Sequence, residues 1–338
     1  MKIDGGLGFH PGGTGAAARE AEEAGYDGVF SAETGHDPFV PLAVAAEATE
    51  RLELATGIAV AFARNPMNLA MLANDLQLLS KGRFLLGLGS QIKAHITKRY
   101  SMPWSHPAPR MREMILAIRA IWHAWASGEA PDFRGEFYTH TLMTPFFSPG
   151  PNPYGAPPVL LAGVGQLMTE VAGEVADGLL VHPFTTRRYF TEMSLPALER
   201  GAAKAGKGRG DLIVSLPGFV ITGDTDEEVA AATQAAKRQI AFYGSTPAYR
   251  PVLELHGWGD LQTELNRLSK QGEWEAMGEL IGDDVLDAFA ITCALDEVAA
   301  QVRARWDGLV DRFSFYSSPS LTPERMAKVL ADFKRSSQ

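Results

Sequence analysis

The sequence predicts an α/β fold of the (β/α)8 TIM barrel class, and three observations support this prediction. Short apolar runs alternate with helical patterns, and eight such strand–helix steps can be counted. The apolar runs are continuous, which is typical of parallel strands buried on both faces. The 338 residues fit one barrel with insertions, since such barrels usually need about 250. A doubly wound open sheet would show the same alternation, so the pattern alone leaves that alternative open.

The first half of the chain contains four predicted strands and four predicted helices. Gly25 ends the first helix, as glycine often does at a helix C-terminus. Pro66 lies at or just before the first turn of the third helix, where its missing N–H costs nothing. The predicted strands are 2–8, 26–33, 52–62 and 83–90, and the predicted helices are 14–25, 41–51, 67–79 and 110–127.

After a segment rich in proline and glycine, the alternation continues to the C-terminus. The acidic run "DTDEE" indicates a helix N-terminus, because carboxylates there interact favourably with the helix dipole. The predicted strands are 158–164, 178–184, 211–222 and 312–318, and the predicted helices are 166–176, 187–205, 224–243, 295–306 and 322–335.

The whole chain, 1–338, is expected to form a single barrel domain. Three segments interrupt the strand–helix rhythm and are interpreted as insertions at the C-terminal mouth of the barrel, near 91–109, 128–158 and 246–290. The last of them is predicted to be mostly helical. Active sites of such barrels lie at that mouth, so the loop around Trp104 and the insertion at 246–290 are expected to close over a substrate.

Composition excludes several classes of function. The net charge of −9, with no basic stripe, argues against nucleic acid as a partner. Cys293, the single cysteine, rules out an intramolecular disulfide and a Cys-rich zinc site. The eight histidines show no metal-binding spacing beside carboxylates, so no metal is expected. The N-terminus has no apolar signal core and no run is long enough to span a membrane, which predicts a cytoplasmic protein without a membrane partner.

The second strand ends in "SAETGHDP", which brings Glu33, His36 and Asp37 into one loop. A carboxylate and a histidine together suit general acid–base chemistry. Alternatively, Asp37 caps the following helix and His36 is merely solvated. Both interpretations remain open at this point.

The third and fourth strands carry unusual residues near their ends. Gly57 interrupts the apolar run "LELATGIAVAFARNP", where a glycine weakens a strand. Arg64 either binds an anion or ties the next loop to backbone carbonyls. Gly87 and Gly89 in "GLGSQ" allow close approach of a flat ligand or form a tight turn. They lack the third glycine of the dinucleotide fingerprint, so a Rossmann site is poorly supported.

Three later positions also have two interpretations. In "AGVGQLM", Gly165 precedes a helix whose free N–H groups suit a phosphate, although the lysine of a P-loop is missing. His182 lines a pocket or is buried and bonded to a carbonyl. Trp104, in a long loop, covers an aromatic ligand or packs on the barrel rim.

Taken together, several segments resemble the luciferase-like oxidoreductases, (β/α)8 barrels that use reduced flavin or the deazaflavin coenzyme F420. The resemblance covers nearly the whole chain and is carried by "EEAGYDGVFSAE", "LATGIAVAFARNP", "LSKGRFLLGLGS", "RMREMILAIRAIW" and "AGVGQLMTEVAGEVADGLLVHPF". "TGIAVAFARNP" followed by "GLGSQ" is more similar to the F420-dependent branch than to the bioluminescent or FMN branches.

The resemblance implies a cofactor site. In F420-binding members a cis peptide bond in the third strand supports the deazaflavin ring, and the motif match sets it between Gly57 and Ile58. The resemblance also implies that the acid ending strand two contacts the cofactor. The implied cofactor-binding residues are Glu33, Gly57, Ile58, Val60, Ser90, Gln91, Val164, Gly165, Leu167 and Met168.

Two departures limit the substrate. The sugar-phosphate dehydrogenases of the family carry a histidine directly after the strand-two acid and an acid beyond the strand-four turn, where this chain has Thr34 and Ile92. A sugar phosphate is therefore not expected, and His36 is the candidate replacement for the missing histidine.

The resulting expectation is an oxidoreductase that transfers a hydride between the C5 carbon of F420 and a small organic substrate, with Glu33 or His36 moving the proton. One alternative is a monooxygenase that uses reduced FMN and O2, and another is a barrel that binds a cofactor without turnover. The expected partners are a small-molecule substrate and further copies of the chain, as a homodimer or higher homo-oligomer.

Overall fold

The computed structural model describes residues 1–8, 10–316 and 319–335. Within them, strands and helices alternate along most of the chain. The strands are β1 (Lys2–Gly6), β2 (Gly28–Ser31), β3 (Glu53–Thr56), β4 (Ala59–Val60), β5 (Phe84–Gly89), β6 (Phe133–Arg134), β7 (Thr139–His140), β8 (Val159–Gly163), β9 (Gly178–Val181), β10 (Ile213–Ile221), β11 (Ala290–Thr292) and β12 (Arg312–Tyr316).

The helices are somewhat longer than the strands and several begin or end at residues that the sequence marks. They are α1 (Thr14–Ala24), α2 (Phe39–Ala48), α3 (Pro66–Leu79), α4 (Pro107–Ser127), α5 (Gln166–Val175), α6 (Arg187–Tyr189), α7 (Leu195–Lys204), α8 (Asp226–Gly244), α9 (Arg250–Glu254), α10 (Gly259–Gln271), α11 (Trp274–Glu279), α12 (Asp283–Phe289), α13 (Val298–Trp306) and α14 (Pro323–Arg335). A π-helical turn, Phe190–Ser194, joins α6 and α7.

The predicted fold class is confirmed: the chain is an α/β protein with a closed eight-stranded parallel barrel and flanking helices. The described strands of the barrel sheet follow the order β11-β10-β12-β1-β2-β3-β5-β8-β9, with β4 beside β5 and a further pairing between β9 and β10. The two short strands β6 and β7 form a separate antiparallel pair within the predicted insertion 128–158.

Contacts divide the chain into two compact units. The larger unit comprises Asp4–Leu180 and Ala197–Ile213. In it, β2 pairs in parallel with β1 and β3, and β5 with β3 and β8. Its strand side chains form a buried apolar core that includes Leu54, Phe84 and Leu86.

Local sequence explains the helix boundaries in this larger unit. Gly25 ends α1 with a left-handed φ of 98°, and its N–H bonds to the carbonyls of Ala21 and Glu22. Asn65 caps α3 by accepting the N–H of Asn68. Pro66 occupies the first turn of α3, as predicted.

The smaller unit comprises Met1–Ile3, Val181–Pro196 and Val214–Gln338. Here β10 pairs in parallel with both β11 and β12. Thr225 caps α8, and three acidic residues follow in its first turn. The insertion predicted as helical over 246–290 contains α9 to α12, which confirms that prediction.

One predicted strand is interrupted in the structure, so its prediction as a continuous strand is wrong. The apolar run 52–62 was expected as a single strand, but β3 ends at Thr56 and only Ala59–Val60 returns to the sheet as β4, followed by a 3-10 turn. The interruption contains Gly57 and Ile58. The last predicted strand, 312–318, is described to Tyr316, and residues 317 and 318 lie outside the described part.

No helix among the described residues is both long and apolar enough to cross a membrane.

Candidate active site

The break between β3 and β4 forms a bulge, Gly57–Val60, in the larger unit. The peptide bond between Gly57 and Ile58 is cis, as the family resemblance implies. Gly57 donates its N–H to the carbonyl of Ser31 (2.8 Å), and the Ile58 carbonyl accepts the N–H of Glu33 (3.1 Å). The bulge is therefore tied on both sides to the chain at and just beyond the end of β2.

Two glycines of β5 allow the end of β3 and this bulge to approach closely. A Cβ atom on Gly89 would lie 2.7 Å from the Cδ1 atom of Ile58, which is closer than side-chain atoms approach. A Cβ atom on Gly87 would lie 1.8 Å from the carbonyl oxygen of Thr56. Both glycines belong to β5, where their small size serves close approach between neighbouring strands.

Glu33 contacts the C-terminal end of the bulge. Its Oε2 atom accepts the N–H of Val60 (2.7 Å) and an N–H of Arg64 (2.6 Å), and its Oε1 atom accepts the hydroxyl of Tyr100 (2.8 Å). The Glu33 side chain is only 6% exposed. Three donors on two oxygens hold the carboxylate in one orientation.

Arg64 connects Glu33 to the loop that follows β2. It bonds to Asp37 (2.7 Å) and to the carbonyl of Val60 (3.2 Å). Burial lowers the pKa of its guanidinium, but the hydrogen bonds and charges of Glu33 and Asp37 outweigh burial and raise that pKa overall. Of the two interpretations of Arg64, its contacts support the structural one. Asp37 also accepts the N–H of Phe39 at the start of α2, as a helix cap would.

His36 lies three residues after Glu33 in the loop that follows β2, and its side chain is exposed. Its ring meets the ring of His10 edge to face, with 5.6 Å between their centroids. The structure thus brings two imidazoles together beyond the ends of β1 and β2. His10 was not singled out in the sequence, because a lone histidine in a Gly- and Pro-rich loop carries no signal.

The end of β5 bears Ser90 and Gln91, both half-buried. Gln91 has a left-handed φ of 60°, and its side-chain oxygen accepts the N–H of Ile92. The Ser90 hydroxyl donates to the Gln91 carbonyl (3.2 Å). These local bonds turn the chain into the predicted insertion 91–109.

That insertion supplies Tyr100, a partner of Glu33 that sequence reasoning missed. Tyr100 lies 67 positions after Glu33, and burial together with the Glu33 hydrogen bond raises the pKa of its phenol.

Trp104 packs edge to face against buried Phe62, with 5.6 Å between ring centroids. The guanidinium of Arg110 covers the same Phe62 ring at 4.6 Å. Trp104 therefore has the packing role, and its role toward a ligand stays a prediction.

The N-terminus of α5 offers open backbone donors. Gly165 is its N-cap residue and provides no side-chain cap, and a Cβ atom there would meet nothing within 4 Å. The first N–H groups of an α-helix have no acceptor within the helix. Leu167 is 74% exposed in this first turn. The chain therefore presents uncapped, accessible donors of the kind that bind phosphate.

His182 follows β9 in the smaller unit. Its Nδ1 atom accepts the N–H of Phe184 (3.0 Å), so the expected bond to a carbonyl is wrong. A proton on Nδ1 would point at that N–H, which leaves Nε2 as the protonated nitrogen. Burial lowers the pKa of this imidazole to about 4.

Among the described residues, no three histidine, cysteine, aspartate or glutamate side chains are grouped so as to hold a metal ion.

Comparison with known proteins identifies the family. A family model described as luciferase-like monooxygenase matches residues 4–312. The chain belongs to the luciferase-like family. It is accordingly an enzyme of the oxidoreductase or monooxygenase type.

Several relatives resemble this luciferase-like protein over most of its length. An uncharacterized protein of Mycobacterium tuberculosis is 55% identical, covering 99% of this chain and 98% of its own. A putative coenzyme F420-dependent oxidoreductase of the same organism is 30% identical, covering 85% of each chain. The solved structure of a coenzyme F420 dependent tetrahydromethanopterin reductase from Methanopyrus kandleri superposes with a TM-score of 0.77 at 20% identity, covering 98% of this chain and 96% of that one.

Proposed function

We propose that this luciferase-like protein is a coenzyme F420-dependent oxidoreductase that transfers a hydride between the C5 carbon of the deazaflavin and a small organic substrate. The observation that carries the proposal is the 30% identity, over 85% of this chain, to a putative coenzyme F420-dependent oxidoreductase. When bound, F420 would supply the hydride chemistry, and the protein supplies binding, orientation and proton transfer.

The residues present fit such a cofactor at two places in the larger unit. The uncapped first turn of α5, with Val164, Gly165, Leu167 and Met168, would hold a phosphate through backbone N–H groups. The bulge from Gly57 to Val60, with Ile58, would support the ring. Ser90 and Gln91, at the end of β5, would contact it from the neighbouring strand.

Glu33 and His36 would have different tasks. The Glu33 carboxylate already accepts three hydrogen bonds, so we propose that it positions the bulge beside the cofactor. The exposed imidazole of His36, with His10 beside it, is the proposed proton-transfer group at this end of the barrel.

Titration of the purified protein with F420, followed by fluorescence, tests the proposal. We expect saturable binding in the low micromolar range or tighter. Absence of F420 binding at tens of micromolar would refute it. A binding protein without turnover would instead bind F420 but exchange no hydride with a broad panel of alcohols, aldehydes and enones.

A second candidate is a monooxygenase that uses reduced FMN and O2. The description of the matching family model favours it. The same titration with FMN, together with oxygen uptake in the presence of reduced FMN, separates the two candidates, because a reduced deazaflavin reacts poorly with oxygen. The expected homodimer or higher oligomer is part of the proposal and is measured by light scattering on the same sample.

A further inference from the structure

A cluster of one imidazole and three phenols lies in the smaller unit. His182 directly follows β9, and Tyr316 is the last residue of β12. Tyr243 comes from the end of α8, and Tyr249 from the turn that opens the 246–290 insertion. We call these four residues the phenol cluster. In a (β/α)8 barrel, substrates are bound at the carboxyl ends of the strands.

The hydrogen bonds of His182 fix the direction of donation within the cluster. Since Nδ1 accepts the N–H of Phe184, the neutral ring carries its proton on Nε2. Nε2 lies 3.2 Å from the hydroxyl of Tyr249 and therefore donates to it. A hydroxyl that accepts in this way keeps its own proton for donation, so Tyr249 is oriented as a hydrogen-bond donor.

The other two phenols are also paired. The hydroxyls of Tyr243 and Tyr316 bond to each other, and only one of their two protons is used in that bond. Burial and Tyr316 raise the pKa of Tyr243, so this phenol stays protonated. The pair therefore contributes a second hydrogen-bond donor.

The surroundings of the cluster are aromatic and uncharged. His182 contacts the rings of Tyr243 and Tyr249, each at 4.6 Å between centroids. Phe184 stacks on Tyr249 at 5.9 Å, and Phe219 meets Tyr316 at 5.4 Å. Within the described part of the chain, these ring and hydrogen-bond partners are aromatic or neutral groups. Such an environment would penalise a charged ligand and favour a neutral one.

His182 and all three tyrosines of the cluster are half-buried, so each keeps part of its surface in contact with solvent.

We propose that the phenol cluster binds the oxygen atom of an uncharged carbonyl or hydroxyl compound with an apolar, planar body, and that Tyr249 is the donor to that oxygen. This proposal names the substrate class of the proposed oxidoreductase. It depends on that proposed function only for the identity of the cofactor. Hydrogen-bond donation by the phenols orients the substrate oxygen, and the flanking rings contact its apolar part.

The test uses the full chain without added cofactor and the probe cyclohex-2-enone, with binding measured by ligand-observed NMR. We expect saturable binding. Tyr249→Phe removes one hydroxyl and keeps the ring, so it should raise the dissociation constant about three- to tenfold, as expected for one hydrogen bond between neutral groups. Cyclohex-1-ene-1-carboxylate, which has the same ring size and a charge, should bind at least about tenfold more weakly.

The control is Tyr26→Phe, at a half-buried tyrosine of the larger unit whose ring packs on Gly5. It should leave enone binding unchanged. The proposal is overturned if wild type shows no saturable enone binding, if Tyr249→Phe binds the enone as wild type does, or if the carboxylate binds equally well. An F420 titration of wild type keeps the two proposals apart: if wild type does not bind F420, the cofactor proposal is refuted and the enone result still stands.

Discussion

Glu33 and Arg64 form an ion pair with 2.6 Å between Oε2 and Nη1, and the pair joins the chain after β2 to the turn after β4. Their side chains are 6% and 15% exposed. The same Glu33 oxygen also accepts the N–H of Val60, at the end of the bulge. Because the pair is largely out of water, its loss would leave a carboxylate without its cation in the interior.

Arg64→Met should therefore destabilise the protein strongly. Methionine keeps much of the aliphatic volume but removes the charge and three hydrogen bonds. We expect the free energy of unfolding to fall by about 3 kcal/mol, the usual cost of breaking a buried pair. Urea unfolding measures this value. The matched control is Arg134→Met, since the Arg134–Asp132 pair is 69% and 79% exposed. The control should lose about 0.5 kcal/mol or less, and equal losses in both variants would contradict a buried role for Arg64.

Gly87→Ala should be among the most disruptive single-methyl changes in the chain. The new Cβ would lie 1.8 Å from the Thr56 carbonyl oxygen, and backbone atoms of β3 and β5 cannot both stay in place. We expect a loss of about 3 kcal/mol or more in the free energy of unfolding, with visible loss of soluble protein. Gly210→Ala is the control, because a Cβ there meets nothing within 4 Å. It should change the free energy of unfolding by about 0.5 kcal/mol or less.

Sequence reasoning was successful where periodicity and capping determine structure. α1 and its end at Gly25 were predicted, as was α3 with Pro66 in its first turn, because these signals lie within a few residues of each other. The strand 52–62 was predicted as continuous because all its residues suit a strand, and the break at Gly57 depends on tertiary contacts with Ser31 and Glu33. Local composition carries no information about those contacts.

The pH dependence of stability should include a contribution from His182. Its pKa is lowered from 6.5 to about 4 by burial in the folded protein. Below pH 6.5 the unfolded chain therefore binds a proton that the folded chain does not. This contribution is fully present above pH 6.5, is lost as the pH falls toward 4, and reaches about 3 kcal/mol in total.

His182→Asn should remove that contribution. The asparagine side-chain oxygen can still accept the N–H of Phe184, so the local turn has a replacement partner. Urea unfolding between pH 7.5 and 4.5 should give a flatter dependence for the variant than for wild type. If the free energy of unfolding of both proteins changes with pH in the same way, burial does not keep His182 neutral in the folded protein.

The candidate site was predicted only in part. Glu33 was singled out from its place after β2, and the bulge from the motif shared with the family. Tyr100 was missed, because it meets Glu33 across 67 positions and lies in an insertion without periodicity. The ring contact between His10 and His36 was missed for the same reason. Each histidine lies in an irregular loop, and only the barrel brings the ends of β1 and β2 together.

A charge placed in the first turn of α5 tests the proposed phosphate contact. Leu167 is 74% exposed, so Leu167→Glu changes no packing. A glutamate at this end of a helix interacts favourably with the helix dipole, and the melting temperature should stay the same or rise slightly. The same carboxylate would repel a phosphate bound to the neighbouring N–H groups. At a separation of several ångströms near the surface, that repulsion is on the order of 1–3 kcal/mol, which corresponds to roughly a tenfold or greater rise in the dissociation constant of F420.

Leu167→Gln separates charge from shape in this experiment. Glutamine has the same size as glutamate and no charge, so the F420 dissociation constant should rise by less than about threefold, and high salt should narrow the gap between the two variants because exposed charges are screened. Fluorescence titrations of wild type and both variants at low and high ionic strength give these values. If glutamate and glutamine weaken binding equally, or neither does, the phosphate of the cofactor does not lie at the N-terminus of α5, and the open donors at Gly165 serve another anion or only water.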